Sequence, residues 1–428
     1  MDFALDAIHY IIAAIMVGIA GYWVYMIRAM ALSFTKTPIL TSAADAALGA
    51  RTTPGTGTET PVSQDIKHGR GPEDAPLVSI ILPARNEEDC IAMCLDSLLS
   101  QNYARYEIVV VDDSSEDKTG NIIKQYSDNE KIVSVSARPK PPDWVGKNWA
   151  CCEGYDRASG DLLLFTDSDT VHVENALSLA VSRMMSDNLD ALTISPRMLC
   201  FDFWTKVTLP MISTFLHTRF SPLKVNDSKS KVGYFFGSFF IIKRKVYESV
   251  GTHKLVKHEI VEDGALGGIV KKSGYKMRML RGEHLVDAVW ARSASTLWSA
   301  LKRLMVPIYL QSKWIASGIL AAVAFLLFIP FPVLAYGAIF GLASSNIASH
   351  NALFWSSLVS AALIYAANFA EAVYLKSGTL YGSLAPLGGL VVVLGFLSSL
   401  IHAKSKSAIS WRGRSYSMKD HTKTKIQI

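Results

Sequence analysis

The chain has 428 residues, half of them hydrophobic, five cysteines and a formal net charge of +6. That length holds one sizeable soluble domain plus several membrane helices, and the small positive balance excludes the strongly basic character of a nucleic-acid binder. Cys90, Cys94, Cys151, Cys152 and Cys200 include no C-x-x-C pair. An odd number without a framework fits a reducing compartment, and Cys90 and Cys94, one helical turn apart, read as core packing.

Residues 7–27 (AIHYIIAAIMVGIAGYWVYMI) form an uncharged apolar run of the ~20 residues that span a bilayer. Asp2 and Asp6 precede it where a signal peptide would be basic, so residues 1–30 are expected to be a membrane anchor. Arg28, Lys36, Arg51, Lys67 and Arg70 follow, which puts the N-terminus outside and the next domain in the cytoplasm. Residues 31–76 are expected to be a flexible linker. From residue 38 they lack hydrophobic periodicity and are rich in Thr, Gly, Pro and Ala.

Between residues 77 and 292, short β-branched runs (LVSIILP, YEIVVVDD, KIVSVSA, DLLLFTD, DALTISP) alternate with helical patterns such as EEDCIAMCLDSLLSQ and VENALSLAVSRMMSD. Residues 170–174 read as a helix start, with an acid at the positive end. The alternation predicts an α/β domain whose mainly parallel sheet is covered on both faces, with ligands at the carboxyl ends of the strands. Residues 203–224, apolar with scattered bases around Pro210, could pack in a core or lie at the membrane interface as a flap near an acceptor entrance. Residues 293–313 predict an in-plane amphipathic helix.

Apolar stretches at about 315–343, 352–375 and 380–402 make residues 314–403 a membrane region, and residues 404–428 a basic tail. Three full spans after a cytoplasmic domain would put that tail outside, against its charge. One stretch is therefore expected to be re-entrant, and those with Pro330-Phe331-Pro332 or Pro386-Leu387-Gly388-Gly389 are the candidates.

Three acidic clusters stand in order: Asp112-Asp113, Asp167-Ser168-Asp169 and Glu262-Asp263. Asp167 and Asp169 are two apart at a strand end, so a turn can aim them at a hard cation, Mg²⁺ or Mn²⁺, shared with a diphosphate. Lys147, after a turn glycine in WVGKNWA, could meet phosphate as a point charge. Taken singly, each motif also reads as ordinary chemistry: turn aspartates, a solvated lysine, two acids capping a helix. His253 and His258 have no partner at metal-ligand spacing and read as core or solvated histidines.

Together, VSIILPARNEE, VVVDDSSEDKT, GKNWA, LLFTDSD and VEDGALGGIVKKSGY resemble family 2 glycosyltransferases of GT-A fold over residues 77–292. The resemblance is closest to the membrane-bound, lipid-acceptor branch that includes hopanoid-associated, carotenoid-acid and ceramide glucosyltransferase-like enzymes. It implies a Rossmann-like mainly parallel sheet, with one N-terminal and about three C-terminal transmembrane helices. It also implies a nucleotide-sugar donor, a lipid acceptor, and inversion at the anomeric carbon. By resemblance Pro83, Ala84, Arg85, Asn86, Glu87 and Ser168 line the donor pocket, and Asp112 or Asp113 contacts the nucleotide. Lys147 meets the phosphates or donor sugar, Asp167 and Asp169 hold the metal, and Asp263 is the base with Glu262 beside it. Arg292, Trp411, Arg412 and Arg414 would contact acceptor or phosphates, or, in the tail, form a polybasic strip on lipid headgroups.

The Q-x-x-R-W motif of processive and ceramide-type members is missing: in Ala300-Leu301-Lys302-Arg303-Leu304 only the arginine fits, which argues against polymerisation. Rival readings are a polyprenyl-phosphate sugar synthase and a transporter or scaffold with an inactive transferase domain.

Overall fold

The computed structural model describes residues 2–42, 75–340, 347–404, 409–411 and 414–416. Helix α1 (Asp2–Lys36) leads to β1 (Val78–Ala84), α2 (Ile91–Leu99), β2 (Tyr106–Asp112), α3 (Thr119–Gln125), β3 (Ile132–Ser136) and α4 (Gly146–Arg157). Then come β4 (Leu162–Phe165), β5 (Thr170–His172), α5 (Ala176–Ser186), β6 (Ala191–Ser195), β7 (Arg197–Leu199) and α6 (Phe203–Ser213). After β8 (Phe240–Lys243), α7 (Glu262–Lys272), β9 (Met277–Arg281) and β10 (Val286–Val289) the chain becomes helical. It continues as α8 (Ala294–Gln311), α9 (Lys313–Leu327), α10 (Pro330–Phe340), α11 (Ile347–Tyr374) and α12 (Ala385–Lys404), then β11 (Ile409–Trp411) and β12 (Arg414–Tyr416). Two compact units result: a sheet unit of residues 37–197 and 222–288, and a helical unit of residues 1–36, 198–221 and 289–428.

The sheet unit is built on seven strands in the order β3-β2-β1-β4-β8-β6-β9. Only β8 runs against its neighbours. Every residue of β1 (VSIILPA) is buried, as a strand covered by helices on both faces requires. Successive side chains alternate between those faces. Ile80 and Leu82 join Ile91 and Leu95 of α2, while Ile81 joins Leu163 and Cys151 of α4. Each such side chain contributes about 1.5–3 kcal/mol by leaving water. Ala84 pairs with Asp112 and Ile81 with Phe165, so the loops after β1, β2 and β4 open at one edge of the sheet.

Two sequence expectations fail in this unit. Residues 170–174 do not begin a helix: Thr170–His172 is strand β5, antiparallel to β10, and α5 starts only at Ala176. The β-branched Thr170 and Val171 suit the strand, and Thr170 and His172 are buried in a polar network that a helix would break. Nor is the start of the expected linker free. Leu40 N donates to Arg281 O at 2.9 Å, Arg281 N donates to Pro38 O at 2.8 Å, and Leu40 is buried in the core. An apolar residue beside the open edge of β9 satisfies that edge and buries itself at once. Residues 43–74 of that linker lie outside the described residues.

In the helical unit α1 and α11 run parallel, in register. Ser349 Oγ donates to Asp6 Oδ1 at 2.7 Å, Ser360 Oγ donates to Met16 O at 2.7 Å, and the Phe34 and Tyr374 rings lie 4.4 Å apart. Helices α9 and α10 meet at a 48° bend and run against α1: Trp23 Nε1 donates to Leu326 O at 2.9 Å, and His9 lies 3.2 Å from the Tyr336 hydroxyl. Among the described residues α1 and α11 are long and apolar enough to cross a membrane, and the bent pair would make a third span. The apolar part of α12, Ala385–Ile401, is shorter.

Asn368 Nδ2 donates to Gly382 O at 2.8 Å, Gly389 abuts Leu327 O, and Ser399 Oγ donates to Lys302 O at 2.9 Å. Residues 375–389 therefore turn back among the helices before α12 leaves along α8. Helix α8 has the amphipathic face its sequence predicts, with a Ser293–Thr296 capping box and Leu297, Leu301 and Met305 buried. Segment 203–224 packs rather than floats. Asp202 caps α6 by accepting from Thr205 N at 2.7 Å, Val207 and Met211 are fully buried, and Phe203 and Trp204 stay exposed.

Candidate active site

The loop after β4 and the first turn of α7 bring opposite charges together in the sheet unit. Lys147, on the first turn of α4, extends its ammonium between two carboxylates, 2.6 Å from Asp167 Oδ1 and 2.6 Å from Glu262 Oε1. Asp263 stands beside them. Its Oδ2 accepts from Gly237 N at 2.7 Å and its Oδ1 from Gly264 N at 2.7 Å. A β-carbon at Gly237 would stand 2.9 Å from Asp263 Oδ2, 3.0 Å from Lys147 Nζ and 3.1 Å from Asp167 Oδ2. Four residues that the sequence assigns to three separate motifs thus share one small space, floored by a glycine.

The electrostatics divide these groups. Burial pushes the Asp263 carboxyl up to about 7; the Glu262 and Asp167 charges add to this, and Lys147 opposes it. Burial would lower Lys147, but the carboxylates of Asp167, Glu262 and Asp263 outweigh it and hold the ammonium well above its ordinary value. Burial, with the Asp263 and Glu262 charges, also pushes the Tyr234 phenol up, so that side of the site stays neutral. The arrangement therefore combines a lysine held in its charged form with a carboxyl that titrates near neutrality.

The loops after β1 and β2 clasp one another at the same sheet edge. Arg85 Nη1 donates to Asp113 O at 2.7 Å and also to Ser114 O, while Nη2 meets Glu116 Oε1 at 2.8 Å. Asn86 N donates to Ser115 Oγ at 3.1 Å, Asn86 Oδ1 accepts from Glu116 N at 2.8 Å, and Glu87 N donates to Thr119 Oγ1 at 2.7 Å. Asn86 and Ser114 both take positive φ (53° and 55°) to make these turns. Asp112 Oδ1 accepts from Ser115 N at 3.0 Å and its Oδ2 lies over Gly120, whereas Asp113 is buried. Pro83 and Ala84 end β1 beneath this clasp.

Residues 79–251 match the model of the family described as Glycosyl transferase family 2. The chain carries a family 2 glycosyltransferase domain. Its sheet, mainly parallel with one reversed strand, is the GT-A fold. Among curated relatives, the 4,4'-diaponeurosporenoate glycosyltransferase of Staphylococcus haemolyticus is 27% identical over 219 residues, covering 50% of this chain and 57% of its own length. The UDP-Glc:alpha-D-GlcNAc-diphosphoundecaprenol beta-1,3-glucosyltransferase WfgD of Escherichia coli is 34% identical over 113 residues, 26% of this chain and 43% of its own. The chain thus spans about half the length of these relatives. Among solved structures, the mannosyltransferase PcManGT of Pyrobaculum calidifontis, in complex with GDP-Man and Mn²⁺, is 16% identical with a TM-score of 0.48, covering 92% of this chain and 99% of its own.

Within the glycosyltransferase domain, Lys147, Asp167, Glu262 and Asp263 converge, and Ser168 and Asp169 continue the same turn. Arg292 and Arg414 belong to the helical unit, where Arg292 N donates to Thr296 Oγ1 at 3.0 Å ahead of α8. The side chain of Trp411 and the whole of Arg412 lie outside the described residues. Gly237 is the site residue that sequence reasoning missed. Its only signal is a glycine among aromatics in YFFGSFF, which reads equally well as a turn.

The donor set suits a hard cation. Asp167 and Asp169 offer carboxylate oxygens only, and the Lys147 ammonium already sits on Asp167 as a positive charge would. Among the described residues no group of three or more His, Cys, Asp or Glu stands placed to hold a metal ion, so a cation here would need ligands from outside the protein. His253 is core: it is buried, and its Nδ1 lies 2.6 Å from the Tyr247 hydroxyl.

Proposed function

We propose that this chain moves a single sugar from a nucleoside diphosphate donor, a UDP-sugar, to a hydroxyl group of a bilayer lipid, inverting the anomeric carbon. The observation that carries this reading is the juxtaposition of the Lys147 ammonium with Asp167, Glu262 and the Gly237-bound Asp263. The names of the relatives support a nucleotide-sugar donor and a lipid-borne acceptor.

Asp263 accepts the proton of the acceptor hydroxyl as that oxygen attacks the anomeric carbon in line with the departing bond. The carbon–oxygen bond to the diphosphate breaks, and the nucleoside diphosphate leaves with the electron pair. Glu262, ion-paired with Lys147, stands beside Asp263 and its charge raises the basicity of that carboxylate. Lys147 can swing from Asp167 to the diphosphate, since a lysine is a flexible point charge. Asp167 and Asp169 would hold Mg²⁺ or Mn²⁺, which neutralises charge on the leaving diphosphate. Asp112 or Asp113, with the clasp of residues 83–87, would hold the nucleotide.

A lipid phosphate, or a lipid carboxylate, is already an anionic nucleophile and needs no base. A carboxyl tuned to about 7 beside the site therefore favours a hydroxyl acceptor. The test uses the detergent-solubilised full chain, a total lipid extract and each of UDP-glucose, UDP-GlcNAc and GDP-mannose. A glycolipid that keeps its sugar in mild acid supports the reading, and one that sheds it marks a phosphate acceptor.

The helices support a topology in which α1 crosses inward, the α9–α10 pair crosses outward, α11 returns parallel to α1, and residues 375–404 enter and leave on the inner side. The basic tail then lies on the same side as the domain that follows Lys36, as the positive-inside rule asks. A membrane-impermeant thiol reagent on intact cells should label an Asn351→Cys variant and spare Lys376→Cys. The reverse pattern would overturn the orientation.

A further inference from the structure

Beneath the Asp167 turn lies a buried polar network to which neither the motifs nor the proposed chemistry assigns a role. Thr166, the residue before the first acid of the D-S-D turn, is 1% exposed. Its Oγ1 lies 2.8 Å from Ser238 O, 3.2 Å from His172 Nε2 and 2.9 Å from Thr170 Oγ1. Thr170 Oγ1 in turn donates to Asp167 O at 2.7 Å, closing the turn that carries the acids.

A hydroxyl has one hydrogen, which fixes the directions. The Thr170 hydrogen is committed to Asp167 O, so that of Thr166 goes to Ser238 O, the carbonyl that His172 also hydrogen-bonds. Burial keeps His172 neutral, pushed down to about 4, against the opposing effect of its hydrogen bond to the Ser238 backbone. Ser238 sits in a tight turn, Phe236–Phe239, closed by Phe239 N donating to Phe236 O at 3.0 Å. Thr193 of β6 holds the flanks of the same turn, accepting from Phe236 N and donating to Phe239 O, both at 2.9 Å. The turn's Gly237 N–H is the group that grips Asp263.

We propose that Thr166 is a positioning residue for the transfer step: through Ser238 O it locks the turn that holds Asp263 to the turn that carries Asp167. Its hydroxyl sets the separation between the donor side of the site and the carboxylate that takes the acceptor's proton. The inference rests on the division of roles between Asp167 and Asp263 proposed above. Thr166→Val keeps the shape and removes the hydroxyl arm of the link, leaving the His172 contact with Ser238, while Thr170 still closes the D-S-D turn. Donor and metal binding should therefore survive, and the rate should not.

The experiment compares Thr166→Val, Thr166→Ser, Asp167→Ala and Asp263→Asn in the full chain. Turnover is read with whichever of the three nucleotide sugars the wild type uses, with total lipid extract as acceptor. Calorimetry with UDP and Mn²⁺ supplies a readout independent of activity. Thr166→Val should lose about 10- to 100-fold in kcat, as expected for sub-ångström misplacement of a reacting group, with donor KM and UDP affinity held within about threefold. Thr166→Ser should restore kcat. Wild-type kcat in Thr166→Val, while Asp167→Ala and Asp263→Asn are inactive, overturns the inference but leaves the roles intact. Activity retained in Asp263→Asn instead overturns the roles. A parallel fall in UDP affinity and kcat would make Thr166 a support of the donor site alone and also overturn the inference. If Thr166→Val does not fold, Thr166→Ala, which adds no methyl against His172, is the second probe. Failure of both to fold would make the hydroxyl a fold element and refute the positioning role.

Discussion

Gly237→Ala is the sharpest test of the site because one added carbon meets three of its charged groups at once. The backbone at Gly237 lies outside the positive-φ range, so alanine brings no backbone strain, only crowding. Ordinary contact for a β-carbon begins at 3.4 Å, and the new methyl would stand 2.9 Å from Asp263 Oδ2. That oxygen must retreat by about 0.5 Å, on a scale where 1 Å of misplacement costs about 100-fold in rate. Lys147 Nζ can move aside cheaply at the end of a flexible chain. Asp263 cannot, because the N–H of residue 237 itself pulls the same oxygen inward at 2.7 Å. The carboxylate must therefore strain or surrender a charge-assisted hydrogen bond worth about 1.5–3 kcal/mol. A fall in kcat of about 10- to 100-fold follows, with a loss of thermal stability in the 1–3 kcal/mol range typical of overpacking. Steady-state kinetics with a thermal melt of the same sample gives both numbers. Gly18→Ala, whose β-carbon would meet nothing within 4 Å, is the control and should match wild type. Turnover of Gly237→Ala within about twofold of wild type would refute the packing of Asp263 against this glycine.

The pH profile gives a second test. With Asp263 raised from 3.8 to about 7, kcat/KM should climb with pH below about 7 and level above it, and a profile flat across that range would exclude Asp263 as the base. The sign for stability is opposite: the folded state holds an extra proton between the two values, so this group's contribution is lost as pH rises towards 7, and Asp263→Asn should melt higher than wild type at about pH 8. Lys147→Met leaves Asp167 and Glu262 facing each other unpaired. It should lower stability by on the order of 2–3 kcal/mol, the lower end for a broken buried pair because Asp167 is one-third exposed, with UDP affinity lost in calorimetry. Asp169→Ala should abolish the Mn²⁺-dependent part of UDP binding, and an unchanged Mn²⁺ response would remove Asp169 from the metal's ligands.

The legible part of this site is the part made by strands. An apolar run that stops at an acid marks a strand end whichever helices cover it, so Asp112 and Asp167 could be placed from the sequence by pattern alone. What joins them across the chain could not. The Lys147 ammonium reaches Glu262 across 115 positions, and the Gly237 N–H reaches Asp263 through a turn whose glycine is read by no periodicity. The misread helix start at residues 170–174 has a related cause. An acid near a Thr-Val pair suits a cap as well as a strand, and pairing with Val286–Ala288, more than 110 positions away, decided the matter. Arg85 shows the same limit from the other side. The motif marks it as donor-binding, and its guanidinium braces the carbonyls of the neighbouring loop.

The helical unit shows why counting apolar segments does not give the direction in which each one runs. Hydropathy reports that a stretch tolerates lipid but not the direction in which it runs. Direction is carried here by two hydrogen bonds, Ser349 with Asp6 and Ser360 with Met16, and by the ring contact of Tyr374 with Phe34. These align α11 with α1 and require the bent α9–α10 pair to carry the chain back between them. The last apolar stretch need not then cross. Gly388 and Gly389 let α12 begin against backbone atoms of Val207 and Leu327, a close approach that any side chain would prevent. Asn368 donates to Gly382 O and so supplies a partner for that carbonyl where the chain turns back. In the topology proposed above, a short helix that enters and leaves on one side conflicts with neither the span count nor the charge of the tail.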